Sequence, residues 1–246
     1  MKYVEFINGL IRKKVLETER IVLFGQNISA GSCLSGLTKN LKVQNGLIIN
    51  TPNSENTLCG IGFGLMLSKV PSIFFMKQQD FLLLGIDHLV NTYNFIRRRA
   101  PEASFTIMPV VIDQGYQGLQ SSLNNFGDFC SIARVPGFAV TNKVDTQEII
   151  DSQLVSPGFR IIAVSQRLAS KEILEVSSAY SNKESTVFQY TEGKDATTVC
   201  FNFSFSYGWE LYKKAKERGI DISLFSVNAP TPTNWERIIE DAKKTR

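Results

Sequence analysis

Short apolar runs alternate with helical patterns along these 246 residues. That alternation predicts an α/β fold: a mostly parallel sheet flanked by helices, followed by a second, partial α/β unit. Two observations sharpen the prediction. Ile107 to Ile112 is apolar throughout, as a parallel strand covered on both faces has to be. Leu47 to Asn50 reads as a strand that stops at Thr51-Pro52 and passes into a helical pattern, which puts a candidate site at that strand's carboxyl end.

Val4, Ile7, Ile11 and Val15 recur at helical spacing, so Met1 to Arg20 holds an amphipathic first helix. Ile21 to Phe24 is a strand ended by Gly25. Ser29 to Leu41 is rich in Gly and Ser and turns helical towards Leu41. Behind the second strand, Leu58 to Ser68 is a helix carrying Gly60, Gly62 and Gly64. Glycine costs roughly 1 kcal/mol inside a helix, so three of them imply a backbone packed close to a neighbour. Ser72 to Met76 is a strand, Leu82 to Arg99 one long helix, Gln114 to Asn125 a polar loop, and Phe126 to Ala133 a short helix. Ala139-Val140 and Arg160 to Val164 are further strands around a helix from Thr146 to Leu154. Composition then shifts, and Glu172 to Glu192 reads as a linker with an extended segment at Thr186 to Tyr190. A second βαβ start closes the chain, with strands Thr197 to Phe201 and Ile222 to Val227 and helices Tyr207 to Arg218 and Asn234 to Thr245. The expected division is residues 1–185 and 186–246.

Composition excludes several classes of function. A net charge of +4 is too mild for a nucleic-acid-binding face. The basic clusters Arg12-Lys13-Lys14 and Arg97-Arg98-Arg99 fall at helix positions and read as solvated helix ends. The cysteines at 33, 59, 130 and 200 form no C-x-x-C pair, and His88 is the single histidine, so no metal site is assigned. A reduced chain with buried thiols is expected, cytoplasmic or in an organellar matrix. No run approaches the ~20 apolar residues that span a membrane. The N-terminus lacks the apolar core and cleavage site of a signal peptide.

Glu55 follows the second strand at once and opens the glycine-bearing helix. A lone carboxylate in that place is most often a helix-cap group held by the helix dipole. Its company argues for more. Thr51-Pro52-Asn53-Ser54-Glu55 resembles the Thr-Pro-x-Ser-Glu signature of thiamine-diphosphate enzymes with a transketolase-like pyrimidine-binding domain. It is most similar to that of the beta subunits of pyruvate and branched-chain 2-oxoacid dehydrogenases. Gly25-Gln26-Asn27-Ile28 resembles that family's Gly-Glu-Asp-Val, and Thr38-Lys39-Asn40-Leu41 its Thr-Lys-Gly-Leu. Asp80-Phe81 followed by Ile86-Asp87-His88-Leu89-Val90-Asn91 resembles its Asp/Asn-Phe…Asp-Gln-Ile-Val-Asn. Val135-Pro136-Gly137-Phe138 resembles its Cys-Pro-Gly-Leu, and Thr191 to Thr197 its entry into the C-terminal domain.

The resemblance implies a pyrimidine-binding domain, then a transketolase C-terminal-like domain. That second domain looks cut short, since the likeness stops near Lys243-Lys244-Thr245. It implies a beta-like subunit acting on a 2-oxo acid by decarboxylation or acyl transfer. Glu55 would activate the aminopyrimidine of thiamine diphosphate, with Phe81 and Asn53 as cofactor-binding residues. Asn53 stands where the family has an apolar residue. The diphosphate motif Gly-Asp-Gly…Asn-Asn is not matched by Gly127-Asp128-Phe129. Mg²⁺ is therefore expected on an alpha-type partner chain, in an α2β2 assembly. A family histidine near the reacting carbon aligns with Asn124, beside Asn125, and an amide cannot shuttle protons at neutral pH. The alternatives are transketolase-like ketol transfer, a non-catalytic interaction subunit that keeps the fold, and an unrelated α/β protein.

Overall fold

The structure is a computed structural model and describes residues 1–115 and 124–245. The predicted first helix is α1 (Tyr3–Glu17), and its buried Val4, Ile7, Ile11 and Val15 are the apolar positions that set the helical spacing. Six strands build the first sheet: β1 (Arg20–Gly25), β2 (Asn45–Asn50), β3 (Ser72–Met76), β4 (Ser104–Val111), β5 (Gly137–Ala139) and β6 (Gly158–Ser165). Their order is β2-β1-β3-β4-β6-β5, and every neighbouring pair is parallel. The chain leaves β1 for the edge at β2 and returns on the other side at β3. The strand order therefore reverses between β1 and β3, where open α/β sheets form crevices at their carboxyl ends.

Both faces of this sheet are covered. The helices α1 and α5 (Lys143–Gln153) lie on one side with Ile21, Leu23, Ile73, Phe75 and Met108. The helices α2 (Glu55–Leu67) and α4 (Phe126–Ala133) lie on the other with Phe24, Phe74, Phe105 and Phe159. On that second side, Phe63 of α2 meets Phe105 with ring centroids 5.0 Å apart and Phe159 at 4.9 Å. Such pairs add about 0.5–1.5 kcal/mol each beyond the area they bury. The glycines of α2 are explained in part. A Cβ on Gly62 would lie 2.1 Å from the Phe105 ring and one on Gly60 3.1 Å from the His88 ring, while Gly64 faces open space.

Two predictions need correction. The long helix over Leu82–Arg99 is an irregular run: a 3₁₀ segment Gln79–Gly85, a π turn His88–Thr92, α3 (Tyr93–Ile96) and a 3₁₀ turn Arg97–Arg99. It begins three residues early because Gly85 packs on the first turns of α2, where its Cβ would stand 2.5 Å from Cys59 Sγ. Arg97 is no idle charge, since its guanidinium donates to the carbonyls of Ala133 and Arg134 at the end of α4. Over Glu172–Glu192 the extended segment expected at Thr186 to Tyr190 is the buried β8 (Val187–Thr191), but the rest is no plain linker, since it also holds β7 (Tyr180–Ser181). Its Ser/Asn-rich composition belongs to a tight turn. Asn182 Oδ1 accepts from the N–H groups of Thr186 and Val187 and aims the chain back into a strand.

With β9 (Ala196–Phe201) and β10 (Ile222–Val227) these strands form a second sheet in the order β7-β8-β10-β9. β10 is parallel to β9 and antiparallel to β8, and α6 (Phe205–Glu217) and α7 (Glu236–Ala242) pack on it.

A polar knot ties the two sheets. Asp145 of α5 is fully buried. Its carboxylate accepts from the Thr141 N–H and hydroxyl, the Asn142 N–H and amide, Thr146, Tyr190 of β8 and Asn228 beyond β10. Burial raises the Asp145 carboxyl above its ordinary range, and the donors from Thr141, Asn142 and Asn228 oppose that rise. No helix among the described residues is long and apolar enough to cross a membrane.

Candidate functional site

The carboxyl ends of β1, β2 and β3 converge on the first turn of α2. Gly25 ends β1 with φ +148°, and a Cβ there would lie 2.1 Å from the Phe75 carbonyl oxygen, so only glycine lets β1 and β3 approach so closely. The Gly25 carbonyl accepts from the Thr51 N–H at 3.0 Å, which fixes where β2 hands over to α2. Ser54, in the cap position, turns its hydroxyl to Thr57 Oγ1 at 2.9 Å rather than to a backbone N–H.

Glu55 is the first residue of α2 and only 4% exposed. Among the described residues its carboxyl accepts a single hydrogen bond, from Gln26 Nε2 to Oε1 at 3.4 Å. It bonds no backbone N–H of its own helix there, so it is not serving as a cap. Buried carboxylates are normally paired or saturated with donors. This one meets one neutral amide, and its second oxygen is left for something else. Beside it, burial and the nearby Glu55 charge push the Cys59 thiol up to about 12.

Phe81 lies in the 3₁₀ segment Gln79–Gly85 and is half-buried against the α2-side core. The close packing of Gly85, whose Cβ would be 3.4 Å from the Glu55 carbonyl, puts that segment and the start of α2 in direct contact. Glu55 and Phe81 thus sit on two touching elements. Asn53 is exposed on the turn before α2. Asn124 is exposed just before α4, and Asn125 is that helix's cap residue. Asn125 borders a groove it shares with Leu83, Ile86, Asp128 and Phe129, between α4 and the end of the 3₁₀ segment. The 116–123 part of the predicted polar loop lies outside the described residues.

Two neighbours carry a weight the sequence reading did not assign. Gln26 is the donor to Glu55, and its signal was the departure from a glutamate in the resembling motif. Gln79, two residues before Phe81, is 1% exposed, and among the described residues neither polar atom of its amide has a hydrogen-bond partner. Within the polar run Lys77-Gln78-Gln79-Asp80, nothing in the sequence singles it out. Among the described residues no group of three or more His, Cys, Asp or Glu could hold a metal ion.

The fold is transketolase-like α/β. A split-gene transketolase solved as an inactive β4 tetramer superposes with a TM-score of 0.75 at 16% identity, covering 98% of this chain and 76% of that one. A Pichia stipitis transketolase variant gives a TM-score of 0.74 at 12% identity, covering 97% and 36%. In sequence the chain is similar to beta subunits of 2-oxoacid dehydrogenases. It is 23% identical over 259 residues to the mitochondrial 2-oxoisovalerate dehydrogenase subunit beta of Chaetomium thermophilum, covering 100% of this chain and 54% of the relative. It is 23% identical over 252 residues to the mitochondrial pyruvate dehydrogenase E1 component subunit beta of Dictyostelium discoideum, covering 97% and 70%. The Bacillus subtilis 2-oxoisovalerate dehydrogenase subunit beta is 20% identical, covering 100% and 77%. The chain therefore spans about half the length of the first of these relatives and more of the others. No protein-family model matches the chain.

Proposed function

We propose that this chain is the beta-like subunit of a thiamine-diphosphate-dependent enzyme acting on a 2-oxo acid, by decarboxylation or acyl transfer, and that it works with an alpha-type partner. The observation that carries the reading is Glu55: a carboxyl buried at the end of a parallel strand and met by a single neutral donor. The buried, unpartnered amide of Gln79 beside Phe81 is a second sign of polar groups that an occupant would satisfy.

When bound, thiamine diphosphate supplies a thiazolium carbon that becomes the nucleophile, and the carbanion chemistry is the cofactor's own. Glu55 holds a proton at the far ring nitrogen of the aminopyrimidine. The Gln26 amide holds one carboxyl oxygen, and the other would be left for the aminopyrimidine. Positioned proton transfer of this kind contributes about 10²- to 10⁴-fold in rate. Phe81 would stack on the ring, and Asn53 would hold the cofactor from the turn before α2. Residues 1–185 act as the pyrimidine-binding domain and 186–246 as the start of a C-terminal-like domain.

The diphosphate and its Mg²⁺ fall to the partner, because this sequence does not match the Gly-Asp-Gly…Asn-Asn motif. Exposed apolar side chains beside the site support a covering chain. Leu47 and Ile49 of the edge strand β2 pair with Val22 and Phe24, and so face the α2 side. Ile61, Leu83 and Leu84 are exposed near them on α2 and the 3₁₀ segment. An α2β2 assembly would bury this surface.

Asn124, standing for a proton-carrying histidine, favours a second reading within the same class: ketol or acyl transfer without that proton step, or a subunit that keeps the fold without turnover. Co-expression with a chain bearing the diphosphate motif tests both. The first reading expects a complex that binds thiamine diphosphate with Mg²⁺ and turns over a 2-oxo acid. Binding without turnover of 2-oxo acid or ketose selects the non-catalytic subunit, and absence of binding rejects the cofactor assignment.

A further inference from the structure

A second cavity lies at the same edge of the sheet, on the opposite face from Glu55. It measures about 200 Å³ and sits over the carboxyl ends of β3, β4 and β6. Its floor is Val164, Ile112 and Val110, and its roof is the turn carrying Leu34 and Leu37. Val164, Leu34 and Leu37 belong to the α1-side core, whereas the residues around Glu55 belong to the α2-side core. Gln26 and Asn27, neighbours in the chain, mark the divide: Gln26 donates to Glu55 and Asn27 lines the cavity.

We propose that this cavity binds a small monoanion with an apolar body and one hydrogen-bond donor, such as a short 2-hydroxy carboxylate. The inference does not depend on the role given to Glu55.

Position is the first ground, because the cavity lies beside the β1/β3 reversal, where open α/β sheets place ligands. Charge is the second. Lys77 is the only charged side chain in the lining, and it enters none of the ion pairs among the described residues. The third is an unmet acceptor. Gln166 lines the cavity, and its Oε1 is buried with no hydrogen-bond partner among the described residues. An unsatisfied buried acceptor costs about 1–3 kcal/mol, which a donor on the occupant would recover.

The roof adds a fourth ground. Cys33, Leu34 and Ser35 all have positive φ, at 48°, 50° and 57°, between Gly31 and Gly36. Left-handed backbone costs roughly 1–2 kcal/mol per non-glycine residue, and such strain collects at ligand clamps. Volume sets the size of the occupant. Drug-sized ligands use pockets of about 300–1,000 Å³, so this space suits a molecule of only a few carbons.

The test is titration of the full chain with sodium 2-hydroxy-3-methylbutanoate, followed by amide chemical shifts of residues 30–37, 77–78 and 164–169. The expected dissociation constant is on the order of 1 mM, as suits so small a ligand. Lys77→Met should weaken binding at least tenfold. Ala169→Phe, which fills the space, should abolish it, and Glu55→Gln should leave it unchanged. The neutral amide of the same acid and 3-methylbutanoate, which lacks the donor, should both bind more weakly. Absence of saturable shifts would mean that the cavity holds only water, and it would overturn the proposal. So would equal affinity in Lys77→Met, or loss of binding in Glu55→Gln, which would put the ligand in the other site.

Discussion

Two buried carboxylates in this molecule meet opposite fates. Asp145, at the seam between the sheets, is saturated by donors from α5, from the turn before it, from β8 and from the segment after β10. Glu55, at the edge of the first sheet, is 4% exposed and among the described residues meets one amide. A saturated acid cross-links a fold. An acid buried but under-bonded costs stability unless an occupant completes it, and that pattern marks a site. The contrast separates a structural carboxylate from a functional one more reliably than burial, which the two share.

The contrast can be broken most forcefully at Asp145. Asp145→Leu strands the Asn142, Tyr190 and Asn228 donors, and should lower the unfolding free energy by about 3–5 kcal/mol in urea titrations. A loss under about 1 kcal/mol would mean that the knot is not a cross-link. The same carboxyl carries a pH signature. Burial raises it above its unfolded value, so folding takes up a proton there. Its contribution to stability is complete below the unfolded value and fades as pH climbs through the folded one. Asp145→Asn should remove that decline from urea midpoints measured between about pH 4 and 8.

Glu55 should behave in reverse. Glu55→Gln should cut turnover of the assembled complex by at least about 10²-fold, with a stability change of less than about 1 kcal/mol. A large stability loss with turnover retained would make Glu55 a second Asp145. Phe81→Ala removes the stacking partner and should weaken cofactor binding by about 3- to 10-fold, read by calorimetry on the complex.

The smallest effect concerns thiols at the two kinds of environment. Burial pushes Cys59 and Cys130 up to about 12, whereas Cys33 is half-buried on the cavity roof. Only about one part in 10⁴ of Cys59 is thiolate at pH 8, so Cys33 should react first with a disulfide reagent. Cys59 and Cys130 should wait for urea. Equal native rates would mean that the α2-side core opens readily.

Much of this was legible in the residues. The apolar runs gave the strands of the first sheet because both faces of a parallel sheet are buried, and Glu55 and Phe81 are named through the motif resemblance. Gln26 and Gln79 could not be ranked, since nothing in a sequence says which amide lacks partners. The irregular run Gln79–Arg99 escaped because its path is set by Gly85 against Cys59, a tertiary contact. β8 is legible as an extended segment at Thr186 to Tyr190, whereas β7 escaped in a Ser- and Asn-rich stretch whose polarity serves the Asn182 turn. Nothing in the sequence singles out Asp145, because its donors Tyr190 and Asn228 lie far along the chain.

The most direct measurement is a calorimetric cycle on the assembled complex. Thiamine diphosphate and an analogue with C–H in place of the far ring nitrogen are titrated into wild type and Glu55→Leu, with Mg²⁺ present. A hydrogen bond to a charged group predicts a coupling of about 1.5–3 kcal/mol between the carboxyl and that nitrogen, so that removing both costs little more than removing either. Strictly additive losses, or wild-type affinity in Glu55→Leu, would show that the acid and the ring never meet.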